Sequence, residues 1–304
     1  MLLVGILTAY GLLARRIRNR FYLYVSFALS LAILAYSYNL SLKSEDGLIY
    51  DGGSLDLAIK YRLAGPPASD DIVIIDIDER SLADLSADYG RWPWPRDVVA
   101  ELLLALEDQG AASVALNIMF SDRDINNPEA DELLNAVACE LKKTTFPMTR
   151  LSQQSDELSG FRLSQIEGAL ETANADDHTI ALLAPFLPCA LPKLGLDNLI
   201  VDDDGLVRRG REYWNESGYL LPTIAGRATE SLPQITRTAA SQNPFLINWR
   251  NRSDEGYHRV SFSNLYRSLV RGEETSQPHI FIEGKHFVIG TSAPGIAVLK
   301  GTSL

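Results

Sequence analysis

Apolar positions run through this chain in two rhythms. Residues 72–77, "IVIIDI", open with four apolar residues in a row, the pattern of a strand buried on both faces of a largely parallel sheet. Val98, Val99, Leu102, Leu103 and Leu106 then recur at helical spacing, with Pro95 placed for the first helical position and Gly110 for the C-terminal cap. "ASVALNIMF" at 112–120 is a second apolar strand, so the unit reads as strand, loop, helix, strand with a right-handed parallel crossover. The alternation continues with a helix over 128–143 and a strand near 178–184. Two β-like runs flank Asp202, Asp203, Asp204 and Gly205, which predicts a hairpin. A helix over 222–240, a strand in "NPFLINW", a short helix in "SFSNLYRSLVRG" and a closing strand in "KHFVIG" complete the series.

The start of the chain has neither rhythm. Residues 21–40, "FYLYVSFALSLAILAYSYNL", are 20 positions without a charge, about 30 Å of helix and so about one bilayer core. Tyr22, Tyr24, Tyr36 and Tyr38 suit the two headgroup layers, and Arg15, Arg16, Arg18 and Arg20 just before them mark the cytoplasmic side. A cleaved signal peptide would have a shorter apolar stretch and a small-residue cleavage site, whereas "SYNLSLKSED" overlaps and follows its end. The predicted class is therefore α/β: a mainly parallel sheet with flanking helices plus a β-hairpin, preceded by an N-terminal transmembrane helix. Residues 1–20 form an apolar and basic cytoplasmic segment, 21–40 the span, 41–70 a juxtamembrane stalk and 71–304 an extracytoplasmic domain. The opening "MLLVGILTAYGLLA" is 14 residues, short for a second span. In the stalk, "SLDLAIKYRLAG" suggests a short helix capped by Ser54, and Pro66 and Pro67 close it.

Charge sharpens this picture. The 304 residues are 46% apolar, ample for a core, and the net charge is −11. The four charges before residue 41 are all arginine. The rest carries 24 basic side chains (28 less those four) against 39 acidic, a net of −15 that repels nucleic acid and anionic lipid. Outside the cytoplasm Cys139 and Cys189 can be bridged, closing a 50-residue segment, if their Cα atoms lie within about 7 Å. The sequence leaves a bridge and two buried thiols equally open.

Asp76 and Asp78, two apart at the carboxyl end of the first strand, are the first candidates for chemistry, because ligands gather at that end of a parallel sheet. Asn117 and the Gly290-Thr291-Ser292 turn reach the same rim if their strands are neighbours. Four apolar residues before Asp-x-Asp are similar to the nucleophile strand of haloacid-dehalogenase-type phosphatases, yet Glu79 and Arg80 stand where that family has glycine and threonine. Arg96 sits in the first helical turn, where the dipole disfavours a cation, so a salt bridge to Asp76 or Asp78, or a bound anion, is expected to compensate it. Trp92 and Trp94 alternate with Pro93 and Pro95, a rigid aromatic pair that caps the sheet or walls a pocket. His178, His258, His279 and His286 show no metal-ligand spacing, and neither a glycine-rich nucleotide loop nor a Gly-x-Ser-x-Gly elbow is present. No metal and no cofactor is predicted.

The runs "VIIDIDERSL", "GRWPWPR", "LLLALEDQGAASVALNIMFSD", "NLIVDDDGLVRRG", "LPTIAGRA", "INWR", "VSFSNLYRSLVRG" and "FIEGKHFVIGTSAPGI" together resemble the CHASE2 domain, an extracytoplasmic sensory module of bacterial receptors. The resemblance implies an N-terminal transmembrane helix, an outer sensor, usually three further spans and a cytoplasmic output domain such as a histidine kinase, nucleotide cyclase or protein kinase. This chain ends at "VLKGTSL", where the family is about to re-enter the membrane, so the output is expected in a longer chain or in a separate partner. Asn117 replaces an aspartate of the family pattern, and Ala297-Val298 another. The leading expectation is a sensor in the bacterial inner membrane that binds an unknown small ligand or stimulus at Asp76, Asp78, Trp92, Trp94, Arg96 and Asn117. It is not an enzyme and has no nucleic-acid partner; a homodimer is compatible with the resemblance. An extracytoplasmic magnesium-dependent phosphatase using Asp76, or a protein-interaction module, are the alternatives.

Overall fold

The computed structural model describes residues 20–42, 56, 59–61, 68–158, 160–229, 243–249, 256–274, 280–294 and 296. The opening apolar segment, most of the stalk, positions 230–240 of the expected late helix, His279 and Ala297-Val298 lie outside them. The chain divides into two compact units, Met1–Tyr61 and Arg62–Leu304.

In the first unit the helix expected at 21–40 is α1, Arg20–Leu42. Its described side chains run from 24 to 35. Tyr24, Val25, Phe27, Leu29, Leu31, Ile33 and Leu34 are all exposed, and at 100° per residue they leave no side of this stretch polar. Among the described residues no helix is long and apolar enough to cross a membrane.

The second unit is built on a parallel sheet. Its strands are β1 (Ile72–Ile77), β2 (Ser113–Leu116), β3 (Thr144–Arg150), β4 (Leu194–Leu196), β7 (His258–Ser261) and β8 (His286–Thr291), with a hairpin of β5 (Ile200–Val201) and β6 (Val207–Gly210) outside it. The sheet order is β7-β1-β8-β2-β3, every pair parallel, and β3 continues in parallel to β4 while Leu182–Leu183 pairs antiparallel with its end. The closing strand thus lies between β1 and β2, which are parallel but not adjacent. Ile289 faces Ile75 on one side and Leu116 on the other.

Helices cover one face. Asp78 is the N-cap of α2 (Glu79–Tyr89): its backbone is extended and its carboxylate accepts the Ser81 amide. The sequence pattern predicts a loop here, because the helix buries only Ser81 and Leu85, too thin a stripe to register as a period. The well-marked helix is α3 (Asp97–Asp108), with Val98, Val99, Leu102, Leu103 and Leu106 buried. Residue 110 is a glycine at φ 85°, a left-handed turn that a side chain would strain. α6 (Phe262–Leu269) joins them through the Tyr266 hydroxyl, which donates to Glu101 (2.6 Å) and pairs with the Tyr89 hydroxyl (2.7 Å). Against these helices lie Val73, Ile75, Ile77, Val114, Leu116, Phe287 and Ile289, all buried. Ile72 and Ile74 on the opposite face are half-buried, so β1 is less enclosed than its unbroken apolar run implied.

That opposite face meets the short helix α5 (Ile224–Ala228), capped by Thr223, whose hydroxyl accepts the Gly226 amide at 3.0 Å. Gly226 is required by space: a Cβ there would lie 2.3 Å from the Glu212 carbonyl oxygen. The helix expected at 128–143 is α4 (Pro128–Glu140), ended by an extended Leu141. It packs on α3 and on the 188–193 turn, and Cys139 near its end is bridged to Cys189 in that turn, with Cα atoms 4.8 Å apart. The alternative of two thiols is thereby settled in favour of the bridge.

Candidate ligand-binding site

The carboxyl edge of β1 is a closed hydrogen-bond network. Asp76 is 4% exposed, and its Oδ2 accepts from Ser292 Oγ (2.7 Å) and Arg259 Nη1 (2.9 Å). Asp78 Oδ1 accepts from the Ser81 amide (2.7 Å), Ser81 Oγ (2.7 Å) and Ser261 Oγ (2.8 Å). Burial alone would raise the Asp78 carboxyl; the hydrogen bonds from Ser81 and Ser261 outweigh it and hold the group below its ordinary value. These contacts lace the ends of β1, α2, β7 and β8 together. A carboxylate held this way is a strut, with Oδ2 of Asp76 joined to both β7 and the turn after β8.

Arg96 is elsewhere. Its Nη1 donates to Asp131 Oδ1 at 2.7 Å and its Nη2 to the Asp122 carbonyl, while the guanidinium lies over the rings of Phe120 (5.5 Å) and Phe186 (5.3 Å). The expected compensation exists, but its source is Asp131 in the first turn of α4, neither Asp76 nor Asp78. Asp131 Oδ2 also accepts the Asp124 amide at 2.8 Å, so the pair pins the loop after β2. Trp94 is 3% exposed and packs on Phe262 at 5.5 Å, with Trp92 set edge-on to it at 4.9 Å. Trp94 lies inside the core and Trp92 is packed against it.

Asn117 leads to an open space. Its amide donates to the Ile289 carbonyl (2.8 Å) and its Cβ is 3.9 Å from where a Gly290 side chain would begin, so β2 and β8 do meet at this edge. From there the uncovered sheet face forms the floor of a cavity of about 570 Å³, within the usual range for small-molecule sites. Ile72, Ala115 and Val288 are on the floor. Trp214, Ile224, Phe245 and Arg211 belong to the segments that roof it. His286 is fixed by Ser113, whose Oγ lies 2.8 Å from its Nδ1. Arg209 on the hairpin is tied to Asp202 (3.0 Å), and buried Arg208 holds Asp202 (2.9 Å) and Asp204 (2.6 Å). The Arg208 hydrogen bond brings the Asp204 carboxyl down to about 2. The Asp-Asp-Asp-Gly turn is therefore internally paired, and among the described residues no group of three or more His, Cys, Asp or Glu is set to hold a metal ion.

The CHASE2 domain family model matches residues 22–304. The chain belongs to the CHASE2 domain family. CHASE2 is a family of extracytoplasmic sensory domains, consistent with a sensor role. Neither a curated protein nor a solved structure matches the chain significantly.

Of the six residues singled out in this CHASE2 sequence, the fold brings Asp76 and Asp78 into one network and puts Asn117 on the cavity. Trp92, Trp94 and Arg96 belong to neither. The sequence reading missed Arg259 and Ser261, which complete the edge, and Arg211, Trp214 and His286, which line the cavity. Within "LVRRGREYW" the signal was a third arginine directly after a predicted hairpin strand.

Proposed function

We propose that this CHASE2 domain is the outer sensor of a bacterial membrane receptor, held in the cytoplasmic membrane by the uncharged residues 21–40, a stretch longer than the part of α1 whose side chains are described, with a small ligand occupying the cavity between the sheet and the segments around α5. Its occupancy is relayed through transmembrane helices to a cytoplasmic kinase or cyclase module carried on the same protein or on a partner. The cavity in a sensory-family domain is the observation that carries this reading. An apolar helix with bare side chains on every side and arginines immediately before it supports the anchor. A ligand acts by binding one arrangement of roof and floor better than another, and only that difference moves the equilibrium. In this reading Asn117 touches the ligand, while Asp76, Asp78, Arg96, Trp92 and Trp94 keep the surrounding edge and loop in place. The test is protease added to intact spheroplasts. Digestion of the sensor, leaving a short membrane-held fragment, is expected; a sensor that is cut only after lysis overturns the topology.

A further inference from the structure

We propose that the cavity selects a ligand with one anionic group on an apolar body, and that Arg211 is its anchor; this rests on the cavity being the sensory site. The lining is largely apolar, with Ile72, Ala115, Leu196, Ile224, Ala225 and Phe245 supplying a surface for a hydrocarbon or aromatic body. Arg211 lines it as well, and among the described residues it has no counter-charge. Arg209, the other lining arginine, is paired with Asp202. Arg211 is not paired: among the described residues no carboxylate is within ion-pair distance, none of its side-chain donors meets an acceptor, and its Nε is buried. Asp197, the carboxylate of the lining, is not its partner.

Among the described residues those donors remain without an acceptor, and Arg211 is one of the residues that line the cavity. Trp214 takes one face of the guanidinium at 5.1 Å, which holds the plane through cation–π attraction. The N–H groups lie in that plane, so stacking uses none of them, and their fork matches a carboxylate or another planar anion. A partly buried guanidinium with idle donors is costly until an acceptor arrives. An anionic ligand removes that cost and a neutral one of the same shape does not.

The experiment uses the full chain in phosphatidylcholine nanodiscs, titrated calorimetrically with 1-naphthoate and with 1-naphthamide, the uncharged equivalent. Naphthoate is expected to bind about tenfold more tightly. Arg211→Gln should bring it to the level of the amide, Arg211→Lys should keep part of the difference, and thermal melts should show both variants folded. Ala225→Trp, which fills the cavity, should abolish binding of both probes. Equal binding of the two probes to the unaltered chain, or full naphthoate affinity in the folded Arg211→Gln variant, overturns the anion preference and leaves the cavity as the site. Undiminished naphthoate binding by Ala225→Trp places the probe elsewhere and overturns the proposal. Absence of binding by either probe overturns the cavity reading with it.

Discussion

Replacing Arg96 by alanine separates a structural arginine from a ligand-binding one. The side chains of Arg96 and Asp131 are only 15% and 8% exposed, so solvent screens their attraction little. Removing the arginine strands the Asp131 carboxylate in the protein, and breaking a buried pair from one side costs about 3–5 kcal/mol. Losing its contacts with Phe120 and Phe186 adds roughly 0.5–1 kcal/mol for each ring. A destabilisation of about 4 kcal/mol or more follows, a large share of a typical domain's margin. Urea unfolding of the full chain, followed by tryptophan fluorescence, measures it. The combined variant Arg96→Met with Asp131→Leu removes both charges and leaves neither stranded. It should be clearly more stable than the sum of the two single losses predicts, by more than about 1 kcal/mol. A loss under about 1 kcal/mol for Arg96→Ala, or additive losses within roughly 0.5 kcal/mol, would refute a buried, coupled pair. An arginine kept free for a ligand would show that second pattern.

Two further outcomes follow from the bridge and from the β1 edge. The Cys139–Cys189 bridge spans a sequence separation of 50, so changing both cysteines to alanine should lower stability by about 4 kcal/mol; an unfolding midpoint indifferent to this change and to reductant would contradict the bridge. The Asp78 carboxyl lies below its ordinary value of 3.8 when folded, so its contribution is complete above that pH and is lost as the pH falls through the folded value. Asp78→Asn, which keeps a capping side chain, should flatten the fall of stability with acid below about pH 4; parallel stability curves for the two proteins would count against the network.

Local pattern was enough for β1, β2, β8 and α3, since each carries its own signal: an apolar run, or a stripe at helical spacing closed by Gly110. It was not enough for α2, where a cap and a serine face replace the stripe. Nor could it order the strands, because the insertion of β8 between β1 and β2 pairs residue 286 with residues 72 and 113, which are 214 and 173 positions earlier in the chain. The site shows the same division. The polar end of β1 was legible as a rim, because Asp-x-Asp after an apolar run is local. The partner of Arg96 is 35 residues away, and nearness along the sequence pointed to the wrong carboxylates. The cavity was invisible, being the gap between a sheet face and elements after residue 195 that meet it only in the fold.

Placing the closing strand in the middle of the sheet has a consequence for how the domain is made. A chain made from its amino end has β1 and β2 long before β8 exists. Until residues 286–291 emerge, the slot between those two strands is vacant and presents two apolar strands with unmet backbone partners. The domain therefore cannot close its sheet until the last strand is made, and a product cut short before residues 286–291 lacks the strand at the centre of that sheet.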